Sequence, residues 1–291
     1  PRLRPRARRA PRPAGEHGWH RSPGVGRHRP YADDAAAHDR ARRRAAAHLD
    51  RRRLLGADLA SRGALGAWID RARERTAAAG SLHSGDVDVR ALCAVLHLGV
   101  CARVLSPWIA SALRGTSPGH STGADVPTLD QLFWQDDGTT TFPLALSPES
   151  LARPALATPV ALAASDASVA VNASVDHFAR ALVDRLAIPL TSTALTPSAS
   201  IAWGNVASAL HGAARTVVRV DPGQSTAVRQ IADACLTALT AARGRPLTDG
   251  RIGTVSFRRH SCCQLYRLPG NSRDTVCGDC VLRERTGAQH G

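Results

Sequence analysis

The chain has 291 residues, 43% of them hydrophobic, which is enough for one large domain or two modest ones with a sizeable core. Its formal net charge of +14 invites a nucleic-acid reading, but the excess is local: residues 1–53 hold 16 Arg against five acids, net +11, and residues 54–291 are net +3. The part that can fold is almost neutral, so charge argues against a nucleic-acid-binding domain.

In chain order, residues 1–53 come first, rich in Arg, Pro, Ala and His and almost without large aliphatic residues. Such a segment cannot bury enough surface to order itself and reads as a basic, disordered extension. It also lacks the apolar core of an export signal. Seven cysteines, an odd number, then fit a reducing cytoplasm.

Residues 54–245 read as a mainly helical body. The Ala/Arg composition from Asp33 to Ala79 favours helix, with breaks at Gly56, Gly63 and Gly66. Asp86 to Ser106 predicts a more apolar helix, after which Pro107 opens another that ends near Gly115. The longest apolar stretch, Ala91 to Ala102, is too short to span a bilayer, so no membrane span is expected. A Gly/Ser/Pro-rich loop from Thr116 to Pro127 leads to a β-hairpin near 130–147, in which Asp136-Asp137-Gly138 forms the turn. Trp203, Val206, Leu210 and Val217 form one face of a helix from about Ser198 to Asp221. Val228, Ile231, Cys235 and Leu239 form the face of a second, ending at Gly244. These two predict an antiparallel helical hairpin. Thr254 to Arg259 alternates, which predicts a short strand with Val255 and Phe257 on one side. The expected fold class is α+β: a predominantly helical body, a small antiparallel sheet and a cysteine-rich C-terminal segment over 246–291.

That segment holds the chemistry. Cys262 and Cys263 are adjacent, and Cys277 and Cys280 form a C-x2-C pair. A [2Fe–2S] cluster needs four converging thiolates, and a C-x2-C turn aims two sulfurs at one point. The vicinal pair can supply the others if the backbone bends there, and Pro269-Gly270 can fold the two halves together. A zinc site also uses four cysteines, but usually as two C-x2-4-C knuckles. Cys93, Cys101 and Cys235 sit on apolar helical stripes and read as buried small hydrophobes. The histidines show no paired ligand spacing; His260, two residues before Cys262, is placed to donate to a ligand sulfur. No dinucleotide or phosphate-loop fingerprint is present.

The run Phe257-Arg258-Arg259-His260-Ser261-Cys262-Cys263-Gln264-Leu265-Tyr266-Arg267-Leu268-Pro269-Gly270, followed by Cys277-Gly278-Asp279-Cys280-Val281-Leu282, resembles the FhuF-like ferric-siderophore reductases. Those enzymes carry a [2Fe–2S] cluster on a terminal C-C-x10-C-x2-C motif. Here thirteen residues separate the cysteine pairs, as if Asn271, Ser272, Arg273 and Asp274 lengthen the loop, a change that costs little in closure entropy. Trp203-Gly204-Asn205-Val206-Ala207-Ser208-Ala209-Leu210 resembles a helix that such proteins carry upstream.

The resemblance implies a cytoplasmic reductase that passes single electrons from the cluster, ligated by Cys262, Cys263, Cys277 and Cys280, to Fe(III) in a siderophore, with hydroxamates favoured and an external electron donor required. Arg258, Arg259, Arg267, Arg273, Arg283 and Arg285 crowd the cysteines in sequence, where they would offset cluster charge and attract an acidic redox partner or an anionic iron complex. Two other readings remain: a binding protein stapled by a structural cluster or zinc, and an electron-transfer or redox-sensing module.

Overall fold

A computed structural model describes residues 52–114, 126–135, 143–146, 167–196, 198–273 and 276–283. The basic extension, most of the Thr116–Pro127 loop, the Asp136-Asp137-Gly138 turn, Asp274 and Arg285 lie outside them. All described residues belong to one unit, His48–Gly291. It is predominantly helical with two small antiparallel sheets.

The chain enters through β1 (Arg52–Leu54), a short α1 (Leu55–Leu59) and α2 (Arg62–Ala79). Ser61 caps α2 by accepting from the Ala64 N–H, and the helix runs through Gly63 and Gly66. Neither glycine breaks it, because Leu65, Trp68 and Ala72 bury one face; each glycine costs only about 1 kcal/mol.

The apolar α3 (Val89–Arg114) is one continuous helix with Pro107 inside it, not two. Burial of Val104, Leu105 and Ile109 on both sides of the proline offsets the lost hydrogen bond, worth about 3 kcal/mol. By length and composition Val89–Ala110 could cross a membrane, which the shorter predicted stretch could not. In the fold, half of that window is buried, and the helix packs chiefly on a later one, α5 (Ala199–Val220).

The expected hairpin is present as β2 (Leu132–Gln135) and β3 (Leu144–Leu146), paired Phe133 to Ala145. β1 adds to its other edge, pairing Leu54 with Phe133, so Arg52 and Arg53, assigned by composition to the extension, are part of the sheet. A helix that the sequence analysis passed over, α4 (Ala167–Leu182), continues through one π turn, Val183–Ala187, and a short Ile188–Leu190 segment. It contributes Phe178, Leu182, Val183 and Leu186 to the core.

The helical hairpin follows as predicted. α5 is capped by Ser198, which accepts from the Ile201 N–H; α6 (Ser225–Arg243) ends at Gly244 in the left-handed conformation, where glycine escapes the Cβ penalty.

After Pro246 the structure departs from the expected strand. Backbone bonds from Thr254 N–H to Arg251 and from Phe257 N–H to Thr254 make consecutive turns, so Val255 is 84% exposed while Phe257 is fully buried. Only Arg258–Arg259 (β5) is extended, paired with Thr248–Asp249 (β4). Phe257 lies flat on His211 of α5, ring centroids 4.1 Å apart.

Candidate metal centre

Each half of the cysteine segment is shaped by a local turn and anchored to the body. Gln264 adopts φ +64°, which bends the backbone just after the vicinal pair. Gly270 at φ +75° and the Asn271 N–H bonded to Leu268 O close the Pro269-Gly270 turn, where glycine is required at the positive-φ position. The loop is pinned by Leu268, which packs in a small core with Ala72, Ala77, Val87, Ala91 and Leu92, and by Arg267, 2.6 Å from Asp88. It is also held against α2, since a Cβ on Gly80 would lie 2.3 Å from Pro269. On the other side, the Arg259 N–H bonds Asp279 O and the Cys280 N–H bonds Cys277 O. The C-x2-C turn is thereby laid along β5.

The four sulfurs meet. Cys263 Sγ lies 3.2 Å from Cys277 Sγ, and Cys280 Sγ 3.4 Å from Cys262 Sγ; Cys262 and Cys263 also interact with each other. The C-x2-C turn gives one sulfur to each member of the vicinal pair. Two tetrahedral ligands on one metal at about 2.3 Å would stand about 3.7 Å apart, so these pairs are slightly closer than bound thiolates. Among the described residues no group of three or more His, Cys, Asp or Glu is already spaced to hold one ion.

The electrostatics separate the thiols into two kinds. Cys263 accepts hydrogen bonds from Cys262 and Cys277 and, against its burial, is held far below the usual thiol range with help from Arg259. Cys280 is lowered to about 6, chiefly by its contact with Cys262. The other two move the opposite way: Cys262 is raised by its contacts with Cys263 and then Cys280, and Cys277 by its contact with Cys263 and then by burial. Backbone N–H groups of Gln264 and Leu282 point at Cys262 and Cys280, at 3.3 and 3.5 Å, as ligand sulfurs require.

Behind the sulfurs is a buried polar chain. Arg259 is fully buried; its Nη1 donates to Asn205 Oδ1 at 3.0 Å, and its Nη2 is 3.6 Å from Asp279. Burial opposes its charge, but Asp279 and then the Cys263 and Cys277 sulfurs outweigh that cost and raise its pKa. Asn205 Nδ2 donates to Ala94 O at 2.8 Å and lies 3.1 Å from His97 Nδ1. His97 Nε2 lies 2.8 Å from Leu190 O; a carbonyl can only accept, so Nε2 carries the proton and Nδ1 accepts from Asn205. The chain thus runs from α3 through α5 to the cysteines. Gly204, beside Asn205, permits the close approach: a Cβ there would lie 1.9 Å from Ser261 Oγ. Arg259 Nε and Nη2 are buried donors without a hydrogen-bond partner, and such donors beside four thiols suit an anionic, sulfur-rich group.

Of the described Arg residues that crowd the motif, only Arg259 stands against the sulfurs in this way. Arg258 and Arg283 donate to Gly278 O, Arg267 pairs with Asp88, and Arg273 lies over Tyr266. His260 does not donate to a ligand sulfur; its ring nitrogens face Asp249 and Pro246 O. Cys93, Cys101 and Cys235 are buried in helices α3 and α6, as their apolar stripes predicted. Asn205 was visible in sequence only inside the upstream Trp203-Gly204-Asn205 resemblance, and Arg259 only as one basic residue among six. Comparison with protein-family models, curated proteins and solved structures yields no match.

Proposed function

We propose that the protein is a cytoplasmic ferric-siderophore reductase whose Cys262, Cys263, Cys277 and Cys280 hold a [2Fe–2S] cluster. The observation that carries this reading is the crossed arrangement of the thiols in two close pairs, with a buried guanidinium behind them. Two pairs suit a two-iron group, while a single zinc ion calls for one tetrahedral set. When bound, the cluster supplies a one-electron couple. The chain does the rest. Arg259 offsets negative charge at the sulfurs, the N–H groups of Gln264 and Leu282 orient two of them, and Cys262 and Cys277, half-buried, bring the site near the surface, as outer-sphere transfer to a bulky chelate needs. Hydroxamate and other hard oxygen donors hold Fe(III) far better than Fe(II), so one electron delivered to the ferric complex loosens the metal. An external donor must then reduce the protein again.

The test is anaerobic purification with iron and sulfide analysis, then mixing of chemically reduced protein with ferric siderophores in the presence of ferrozine. The expected result is about two irons and two sulfides per chain and a ferrous ferrozine signal that a Cys277→Ser variant does not give. A colourless protein with one zinc would establish the stapled-binding-protein reading instead. A two-iron protein that reduces no ferric chelate would establish the electron-transfer or sensing module.

A further inference from the structure

Beside the cysteine segment, between the N-terminal half of α5 and the chain leaving α6, lies a solvent-open cavity of about 320 Å³. Trp203, Arg243, Arg245, Leu247, His260 and Ser261 contribute to its wall. Two properties mark it as a ligand site. Arg243 stacks over the Trp203 indole at 5.3 Å, which fixes a guanidinium plane against an aromatic face. Arg245 is exposed at the rim, Arg243 and Arg245 are the formally charged residues among those described in the lining, and the Asp249 carboxylate lies 3.0 Å from His260 in the wall. Ser261, only 9% exposed, turns its hydroxyl away from the cavity onto Gly204, which leaves room for it. Ser261 is also the residue immediately before Cys262.

We propose that this cavity docks one face of an anionic ferric chelate, with Arg243 and Arg245 on its negative oxygens and Trp203 against its organic frame. The proposal rests on the reductase reading and deepens it: net negative charge, rather than the kind of oxygen donor, selects the chelate. A hydroxamate siderophore would dock by carboxylates on its frame, and a catecholate or carboxylate complex by its metal-bound oxygens. The volume admits one face of such a complex and leaves the remainder in solvent. Binding here places the iron next to the segment that carries Cys262 and Cys263.

Gallium(III) complexes test docking separately from electron transfer, because gallium does not accept the electron. The oxidised, full-length protein is titrated by calorimetry with trianionic gallium tris-catecholate, anionic gallium citrate and cationic gallium desferrioxamine B. The two anions are expected to bind and the cation to bind at least ten-fold more weakly. In an Arg243→Gln, Arg245→Gln double variant the affinity for both anions should fall about ten-fold or more, with an unchanged unfolding midpoint, as expected for side chains at the cavity rim. Arg219→Gln, in a separate cavity of about 610 Å³ that reaches Gly278, should bind both anions as wild type does. Equal binding of anions and cation, or an unchanged affinity in the double variant, would overturn the proposal. Anion binding without reduction of ferric complexes would leave the docking site standing and reject the reductase reading. Reduction of anionic chelates at the wild-type rate by the double variant would reject the docking site alone.

Discussion

Three of the described cysteines lie in the helical core and four in the C-terminal segment; the core raises every thiol, whereas the segment raises two and lowers the other two. Cys101, whose sulfur lies 3.7 Å from the His97 ring, and Cys235 are fully buried, and loss of solvation raises the thiol, to about 12 for Cys235. At Cys93 burial again raises it. In the segment, burial is opposed by hydrogen bonds between thiols, by backbone N–H groups and by Arg259, so Cys263 and Cys280 are held as thiolates. Burial alone thus makes a cysteine inert. Burial with donors and a cation makes it a ligand.

The sharpest way to break this contrast is to exchange the thiols one at a time. Serine at Cys262, Cys263, Cys277 or Cys280 should lose most of the iron and sulfide and bleach the absorption spectrum, whereas Cys235→Ser should keep both. Loss of the cluster from Cys235→Ser alone would show that the two environments had been assigned the wrong way round.

A smaller effect is expected where the regions are joined. Asn205→Ala removes the partner of a buried guanidinium and of Ala94 O together, and should cost about 3 kcal/mol in urea unfolding. Asn205→Asp, which restores an acceptor for Arg259, should recover part of that. An Asn205→Ala protein as stable as wild type would mean that the buried chain does not connect core and site energetically.

This junction is also where the sequence was least legible. The α5–α6 hairpin could be read because its apolar residues recur at helical spacing between good caps, Ser198 and Gly244. The four cysteines could be read because few structures need that pattern. β1 is three residues long and Arg-rich, and nothing in its composition marks a strand. α3 stays whole at Pro107 because tertiary burial overrides the local cost, which no local rule can foresee. The Val255–Phe257 alternation matched a strand, but turns at Thr254 and Phe257 leave one side chain out and bury the other. Arg259 is distinguished from five other arginines only by the fold, which sets it behind the thiols and under Asn205.

Next in size is the close contact between α5 and the segment. Gly204→Ala puts a methyl 1.9 Å from Ser261 Oγ and 3.2 Å from its Cβ, and should cost about 1–3 kcal/mol. Adding Ser261→Ala removes the worse clash, so a double-mutant cycle should show recovery of about 1 kcal/mol or more. Strict additivity of the two changes would place the strain elsewhere.

The smallest effect is a pH dependence at the same face. Burial lowers the pKa of His211 to about 4, and its Nδ1 accepts from the Gly253 N–H at 3.0 Å. Below its ordinary value of about 6.5 the unfolded chain takes up a proton that the folded one refuses. This contribution to stability is therefore full above pH 6.5, falls as pH drops toward 4 and is level below that, on the order of 2 kcal/mol in all. His211→Phe, which keeps a ring on Phe257, should flatten that window in urea titrations at several pH values. An unchanged slope would assign it to other groups.

The crossed thiol pairs also set the order in which this protein must be assembled. At 3.2 and 3.4 Å, each pair needs to close by only a little over 1 Å to reach a disulfide at about 2.05 Å. Oxygen and iron therefore compete for the same four sulfurs, and whichever arrives first excludes the other. Chain exposed to air before loading should carry two bridges, Cys263–Cys277 and Cys262–Cys280, readable by peptide mass mapping, and should take up iron and sulfide only after a dithiol has reopened them.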